Sequence, residues 1–244
     1  MLIKAAINGG RSKREHPSIP VTPDEQAVAV VESFAAGASA IHLHVRSTSG
    51  DESLSDPDVA RTLRAVRIGA PGVPVGVTTG AWIVPDPSLR LKLIEEWTEL
   101  PDFASVNFNE AGAVELAQLL ISRGVAIEAG LCDAVAAANL LNSTLVQRCI
   151  RILLEPQEQE LESALDVVKG IESTLDRAGI ELPRLLLHGT EATAWPVMRE
   201  AINRGYDIRI GFEDTLLLPD GAMAATNAEL VSKAKRLALP GGAI

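Results

Sequence analysis

Cysteine, histidine and aromatic residues are all scarce in this chain of 244 residues: two Cys, four His, three Trp, one Tyr and four Phe. Two cysteines, Cys132 and Cys149, without a Cys-x-x-Cys spacing rule out a disulfide framework and suit a reducing cytoplasm, where both are expected to be inert core thiols. With aromatics at 3%, Trp82 and Trp97 are expected to pack in the interior and not to form a stacking platform. No apolar run reaches the ~18–20 residues of a membrane-spanning helix, so no membrane partner is expected. A net charge of −10 gives no basic footprint for nucleic acid or anionic lipid. It does not exclude an anionic metabolite held by a local arginine or a metal. The opening "MLIKAAINGGRSKREH" places its apolar run before its charges, the reverse of a secretory signal. Its "NGG" at 8–10 has no following Gly-Lys-Ser/Thr and is no phosphate loop. With no linker or low-complexity block, residues 1–244 are expected to form one soluble domain.

What is present is an alternation. Short apolar runs occur at 2–8, 40–45, 73–79, 102–108, 125–130, 150–155, 184–189 and 207–212. Each has strand length, and continuous apolarity suits strands covered on both faces. Segments of helical periodicity lie between and after them, near 22–36, 57–68, 87–98, 111–123, 133–143, 157–178, 191–203 and 224–238. "TPDE" at 22–25 reads as a helix start, with Thr22 as N-cap, Pro23 in the first turn and Glu25 closing a capping box. Gly37, Gly124 and Gly205 each follow a helical stretch, where a left-handed residue ends a helix. Eight β-then-α units match an α/β fold of the (β/α)8 barrel type; a doubly wound open sheet is the alternative.

The stretch "AIHLHVRSTSGDESLS" at 40–55 carries the clearest chemistry. Residues two apart on a strand share a face, so His42 and His44 at the end of the second strand would converge on one point. Barrel active sites lie at that end. The eighth run closes with "RIGFEDT", and Glu213 would complete a two-His, one-carboxylate metal set with a position open to water or substrate. Zinc fits these ligands; non-haem iron uses the same types.

With these pieces the chain resembles the β-keto acid cleavage enzymes, best known for 3-keto-5-aminohexanoate cleavage. The matching stretches are "AAINGG" (5–10), "IPVTPDEQA" (19–27), "AGASAIHLHVR" (36–46), "TTG" (78–80), "ASVN" (104–107), "IRIGFEDT" (208–215) and "GAMAATNAELVSKAKRLA" (221–238). The resemblance implies a zinc-dependent barrel, a homotetramer, that condenses a β-keto acid with acetyl-CoA and cleaves the product to acetoacetate and a new CoA thioester. It implies His42, His44 and Glu213 as zinc ligands and Asp214 as the base, oriented by Arg209. Thr78, Ser105 and Asn107 would hold the substrate.

Two departures qualify the likeness. Where the enzymes of aminated substrates carry an acidic residue after the first strand's turn, this chain has Arg11, which would suit a distal carboxylate or a CoA phosphate. An acidic or neutral keto acid is therefore expected in place of the aminated one. The family's glycine-rich loop after the sixth strand is replaced by "EPQEQE" at 155–160, which bears on acetyl-CoA use. Glu128, Glu155 and His188 fall at strand ends with open roles. Other readings are a metal-dependent aldolase or lyase without CoA, a metal-dependent hydrolase, and a non-catalytic metabolite-binding barrel.

Overall fold

The computed structural model describes residues 1–239. Among them, eight parallel strands close into a barrel in chain order: β1 (Ile3–Ala6), β2 (Ala40–Leu43), β3 (Val75–Thr78), β4 (Phe103–Asn107), β5 (Ala126–Leu131), β6 (Cys149–Leu154), β7 (Arg184–Leu187) and β8 (Asp207–Ile210), with β8 paired back onto β1. The helices between and after them are α1 (Pro23–Ala36), α2 (Asp56–Gly69), α3 (Pro87–Glu95), α4 (Ala113–Ser122), α5 (Ala134–Asn142), α6 (Leu161–Asp176), α7 (Ala194–Arg204) and α8 (Asn227–Ala238). This is the (β/α)8 barrel, not the open sheet. None of the described helices is long and apolar enough to cross a membrane.

Local signals act as the sequence suggests. Thr22 accepts from Glu25 N, and the Glu25 carboxylate accepts from Thr22 N at 3.0 Å, so the capping box is formed. Gly205 ends α7 at φ 74°, a region open to glycine at little steric cost.

Several strands stop one or two residues short of their apolar runs. The N–H of His44 donates to Asn8 Oδ1 at 2.8 Å and not to a neighbouring strand, so the residues that carry chemistry stand just past the ladder. Likewise α6 begins at Leu161 and not near 157. Residues 155–160 form a loop at the barrel mouth, in which Gln157 Nε2 donates to Glu155 O at 2.8 Å and Gln159 Oε1 accepts from Ala192 N at 3.1 Å.

Strand side chains alternate between the helix layer and the lumen. The outward set is aliphatic: Ile41, Leu43, Val75, Val77, Ile127, Ile152 and Ile208 all lie in the buried core. The inward set at the lower end is charged. Lys4 on β1 reaches Glu128 on β5 at 2.6 Å; these strands are not neighbours, so the ion pair crosses the lumen. Arg151 on β6 also pairs with Glu128 and lies 3.6 Å from Asp207 on β8. A register slip makes this possible: Ile127 pairs with Cys149 but Glu128 with Arg151. Ile150 is thereby skipped, and Arg151 turns inward. Lys4 and Glu128 are wholly buried, and each such charge depends on its partners to offset lost hydration.

Candidate active site

At the upper end, His42 and His44 project from β2 and its first following residues, and Glu213 from the loop after β8. Glu213 Oε2 lies 3.6 Å from His42 Nε2 and 3.4 Å from His44 Nε2, and the three ligand atoms fall within 4.8 Å of one another. That buried carboxylate oxygen has no hydrogen-bond partner, while its twin accepts from Arg209 Nη2 at 2.5 Å. An unpartnered anionic oxygen facing two imidazole nitrogens is a donor set suited to a divalent cation of the zinc or iron type. Gly9 makes room for it: at φ +52°, a Cβ there would sit 2.5 Å from Glu213 Cγ.

The histidine backbone is fixed from three directions. Asn8 Nδ2 donates to His44 O at 2.9 Å, Gln26 Nε2 donates to the same oxygen at 2.9 Å, and Asn8 Oδ1 receives the His44 N–H. The ring is oriented by Glu52, whose Oε1 lies 2.5 Å from His44 Nδ1. Sequence reasoning missed Glu52. The signal was the "STSGD" turn: Gly50 at φ +92° folds the chain back, and Glu52 bridges to Arg46 just past β2. Trp82 corrects a second expectation. It is 54% exposed, its ring stacks 6.0 Å from His44, and its indole N–H donates to Glu52 at 3.1 Å. It covers the site from outside because the loop after β3 carries it past the strand ends. Trp97 is buried, as expected.

Arg209 on β8 grips Asp214 through Nε at 3.1 Å and Nη2 at 2.7 Å. This two-point contact fixes the carboxylate plane. Burial lifts the Asp214 carboxyl to about 6 even though Arg209 acts to lower it. Burial pushes the same way on Glu213, but Arg209, His44 and His42 together hold it well below the usual carboxylate range. Burial keeps His42 well below its ordinary value and therefore neutral, the form in which imidazole ligates a metal. In His44 burial is outweighed by Glu213 and Glu52, and its value is raised.

A cavity of about 380 Å³ opens beside these groups, lined by Trp82, Asn107, Glu155, His188, Arg209 and Glu213 among others. The remaining sequence-predicted site residues divide. Asn107 lines this cavity. Thr78 is buried, faces Ser105 across the β3–β4 ladder, and accepts from Gly80 N at 3.3 Å; neither it nor Ser105 is among the lining residues. Arg11 is engaged elsewhere: it pairs with Glu15 at 3.3 Å and with Glu191, so two carboxylates on its own and a neighbouring loop occupy its guanidinium. Cys149 is buried, with its thiol pushed up to about 12. Cys132 is not a core thiol; it is half-buried and lines the cavity, because it follows directly on the end of β5.

The model of the β-keto acid cleavage enzyme family matches residues 1–242 of this chain. The chain belongs to that family. Membership makes it an enzyme that breaks carbon–carbon bonds in β-keto acids. The 3-keto-5-aminohexanoate cleavage enzyme of Fusobacterium nucleatum subsp. nucleatum is 29% identical over 252 residues, covering 98% of this chain and 91% of the relative. The 3-oxoadipate:acetyl-CoA acetyltransferase of Cupriavidus necator is 42% identical over 81 residues, 32% of this chain and 28% of that one. Among solved structures, the apo structure of ObcA superposes with a TM-score of 0.70 at 16% identity, over 90% of this chain. This β-keto acid cleavage family member spans about 61% of the ObcA chain, and the likeness at that identity is one of fold.

Proposed function

We propose that this enzyme condenses a β-keto acid with acetyl-CoA and cleaves the product to acetoacetate and a new acyl-CoA, using zinc held by His42, His44 and Glu213. The unpartnered Glu213 oxygen opposite the two imidazoles is the observation that carries this reading. A bound divalent metal would polarise the keto oxygen and favour negative charge there. Asp214 is the base that takes the proton from the carbon between the keto and carboxylate groups, and Arg209 orients it. The resulting carbanion bonds to the acetyl carbonyl and expels the CoA thiolate. That thiolate then adds to the original keto carbon, the older carbon–carbon bond breaks, and the proton returns, so that atoms balance. Exclusion of water by the buried surround lowers the effective dielectric around Asp214 and raises its basicity.

Thr78, Ser105 and Asn107 would steady the keto acid, with Asn107 best placed by its position at the cavity wall. Arg11 would reach a substrate only after releasing Glu191. An acidic or neutral keto acid in place of the aminated one, and a one-domain homotetramer working in the cytoplasm, complete the proposal. The polar loop at 155–160, where the family has a glycine-rich turn, favours a second reading: a metal-dependent lyase that does not use CoA.

Elemental analysis of the purified protein beside His42→Ala and Glu213→Ala is the first test. About one divalent metal per chain, lost in both variants, is expected. A β-keto acid panel with and without acetyl-CoA follows; turnover indifferent to acetyl-CoA would select the lyase. A wild-type protein that cannot be loaded with zinc would overturn the zinc assignment.

A further inference from the structure

Two side chains on the far wall of the cavity, the buried His188 and the half-buried Glu155, take no part in the chemistry above and carry buried polar atoms without partners. His188, just past β7, is 2% exposed, and neither ring nitrogen has a hydrogen-bond partner. Its Nε2 lies 3.7 Å from Glu155 Oε2 and its Nδ1 3.7 Å from Asp214 Oδ1, both beyond hydrogen-bond reach. Glu155, just past β6, has an unpartnered Oε1. Buried polar groups are hydrogen-bonded in the great majority of cases, so three unpartnered atoms in one recess ask for a ligand.

The geometry shows which kind. A Cβ on Gly130 would sit 2.3 Å from Glu155 Oε1 and 2.4 Å from Asn107 Oδ1, so these two oxygens converge over the bare glycine. The Asn107 amide N–H is taken by Glu110 at 3.0 Å, which leaves its oxygen free to accept. Convergent acceptors call for a donor on the ligand. Arg209, doubly committed to carboxylates, lines the same cavity, and its charge disfavours a cation there. Burial leaves His188 neutral, with one donor and one acceptor. Burial also lifts Glu155 to about 7, so near neutral pH its carboxyl both donates and accepts. A hydroxyl group has that same dual character; an ammonium or a carboxylate does not.

We propose that Glu155 and His188, with the Asn107 oxygen, form a recess that selects β-keto acids carrying a hydroxyl on the tail away from the keto-acid end. This specificity rests on the β-keto acid reading of the site. Neither residue is needed for that reading's proton transfer, so the two can fail separately.

The test compares 5-hydroxy-3-ketohexanoate, 3-ketohexanoate and 3-keto-5-aminohexanoate with the zinc-loaded protein and acetyl-CoA, reading acetoacetate. Leaving buried polar groups unpaired is penalised on the order of 10- to 100-fold. The hydroxylated acid should exceed the other two in kcat/KM by about that factor. Glu155→Leu and His188→Phe should each bring the hydroxyl-to-unsubstituted ratio towards one, and Glu155→Gln, which still donates and accepts, should retain most of it. A purely structural role would leave that ratio unmoved. Equal wild-type use of the hydroxylated and unsubstituted acids would overturn the recess, as would a preference for the aminated acid or a ratio untouched in both apolar variants. If no keto acid yields acetoacetate, the function proposed above fails. The recess is then judged by binding of the same three acids, followed through tryptophan fluorescence, since Trp82 lines the cavity. Tighter binding of the hydroxylated acid supports it, and indifference to the hydroxyl rejects it.

Discussion

At His44 two carboxylates act on one imidazole from opposite sides. Glu213 faces Nε2 and Glu52 holds Nδ1 at 2.5 Å, so the ring is turned with Nε2 towards the other proposed ligands. A carboxylate on the outer nitrogen fixes the tautomer and strengthens the ligating one. Glu52→Ala is therefore expected to weaken zinc binding by about 10- to 100-fold, read by competition against a chelator of known affinity. Unchanged zinc affinity would remove Glu52 from the site. His42, His44 and Glu213 were legible in the sequence because ligand chemistry restricts residue types and a strand's two-residue period fixes which side chains share a face. Glu52 and Trp82 were not, since they depend on where the loops after β2 and β3 turn back. Arg11 was legible only by type, which suits an anion; that Glu191 joins Glu15 beside it depends on how two loops meet and carries no local signal.

The N-terminus of α1 is held by its own sequence. Partial burial works to raise the Glu25 carboxyl, but Lys13 and the backbone N–H groups of Thr22 and Val21 bring it down to about 2. A carboxylate whose folded value lies below its unfolded one adds stability above the unfolded value, and loses it as pH falls through the folded one. Glu25→Gln should thus lower the melting temperature most near pH 7. The difference should narrow below about pH 4.5 and vanish only below about pH 2, as followed by thermal unfolding monitored by circular dichroism. A difference independent of pH would mean that the charge contributes nothing. This cap was readable from "TPDE" because its bonds are local. The start of α6 was not, because the helix-forming residues 157–160 are drawn into contacts with the loop after β7, which periodicity cannot register.

Across the whole molecule, the lower lumen is sealed by charge. Lys4, Glu128, Arg151 and Asp207 come from four strands spread over the full length of the chain. Burial acts to lower the Lys4 ammonium, against the pull of Glu128. Lys4→Met leaves Glu128 with Arg151 as its one remaining ion-pair partner among the described residues and should cost about 3–5 kcal/mol of stability, measured by urea unfolding. A loss below about 1 kcal/mol would show that Arg151 alone suffices. The sequence by itself determined the barrel, its element order and the candidate ligand set of His42, His44 and Glu213, because these follow from local periodicity, capping and ligand chemistry. Only the tertiary structure decided that Lys4 meets Glu128, that Glu52 and Trp82 close over His44, and that Glu155 and His188 share one recess. Those meetings depend on the closure of eight strands into a ring, which brings together side chains whose separation along the chain carries no local signal.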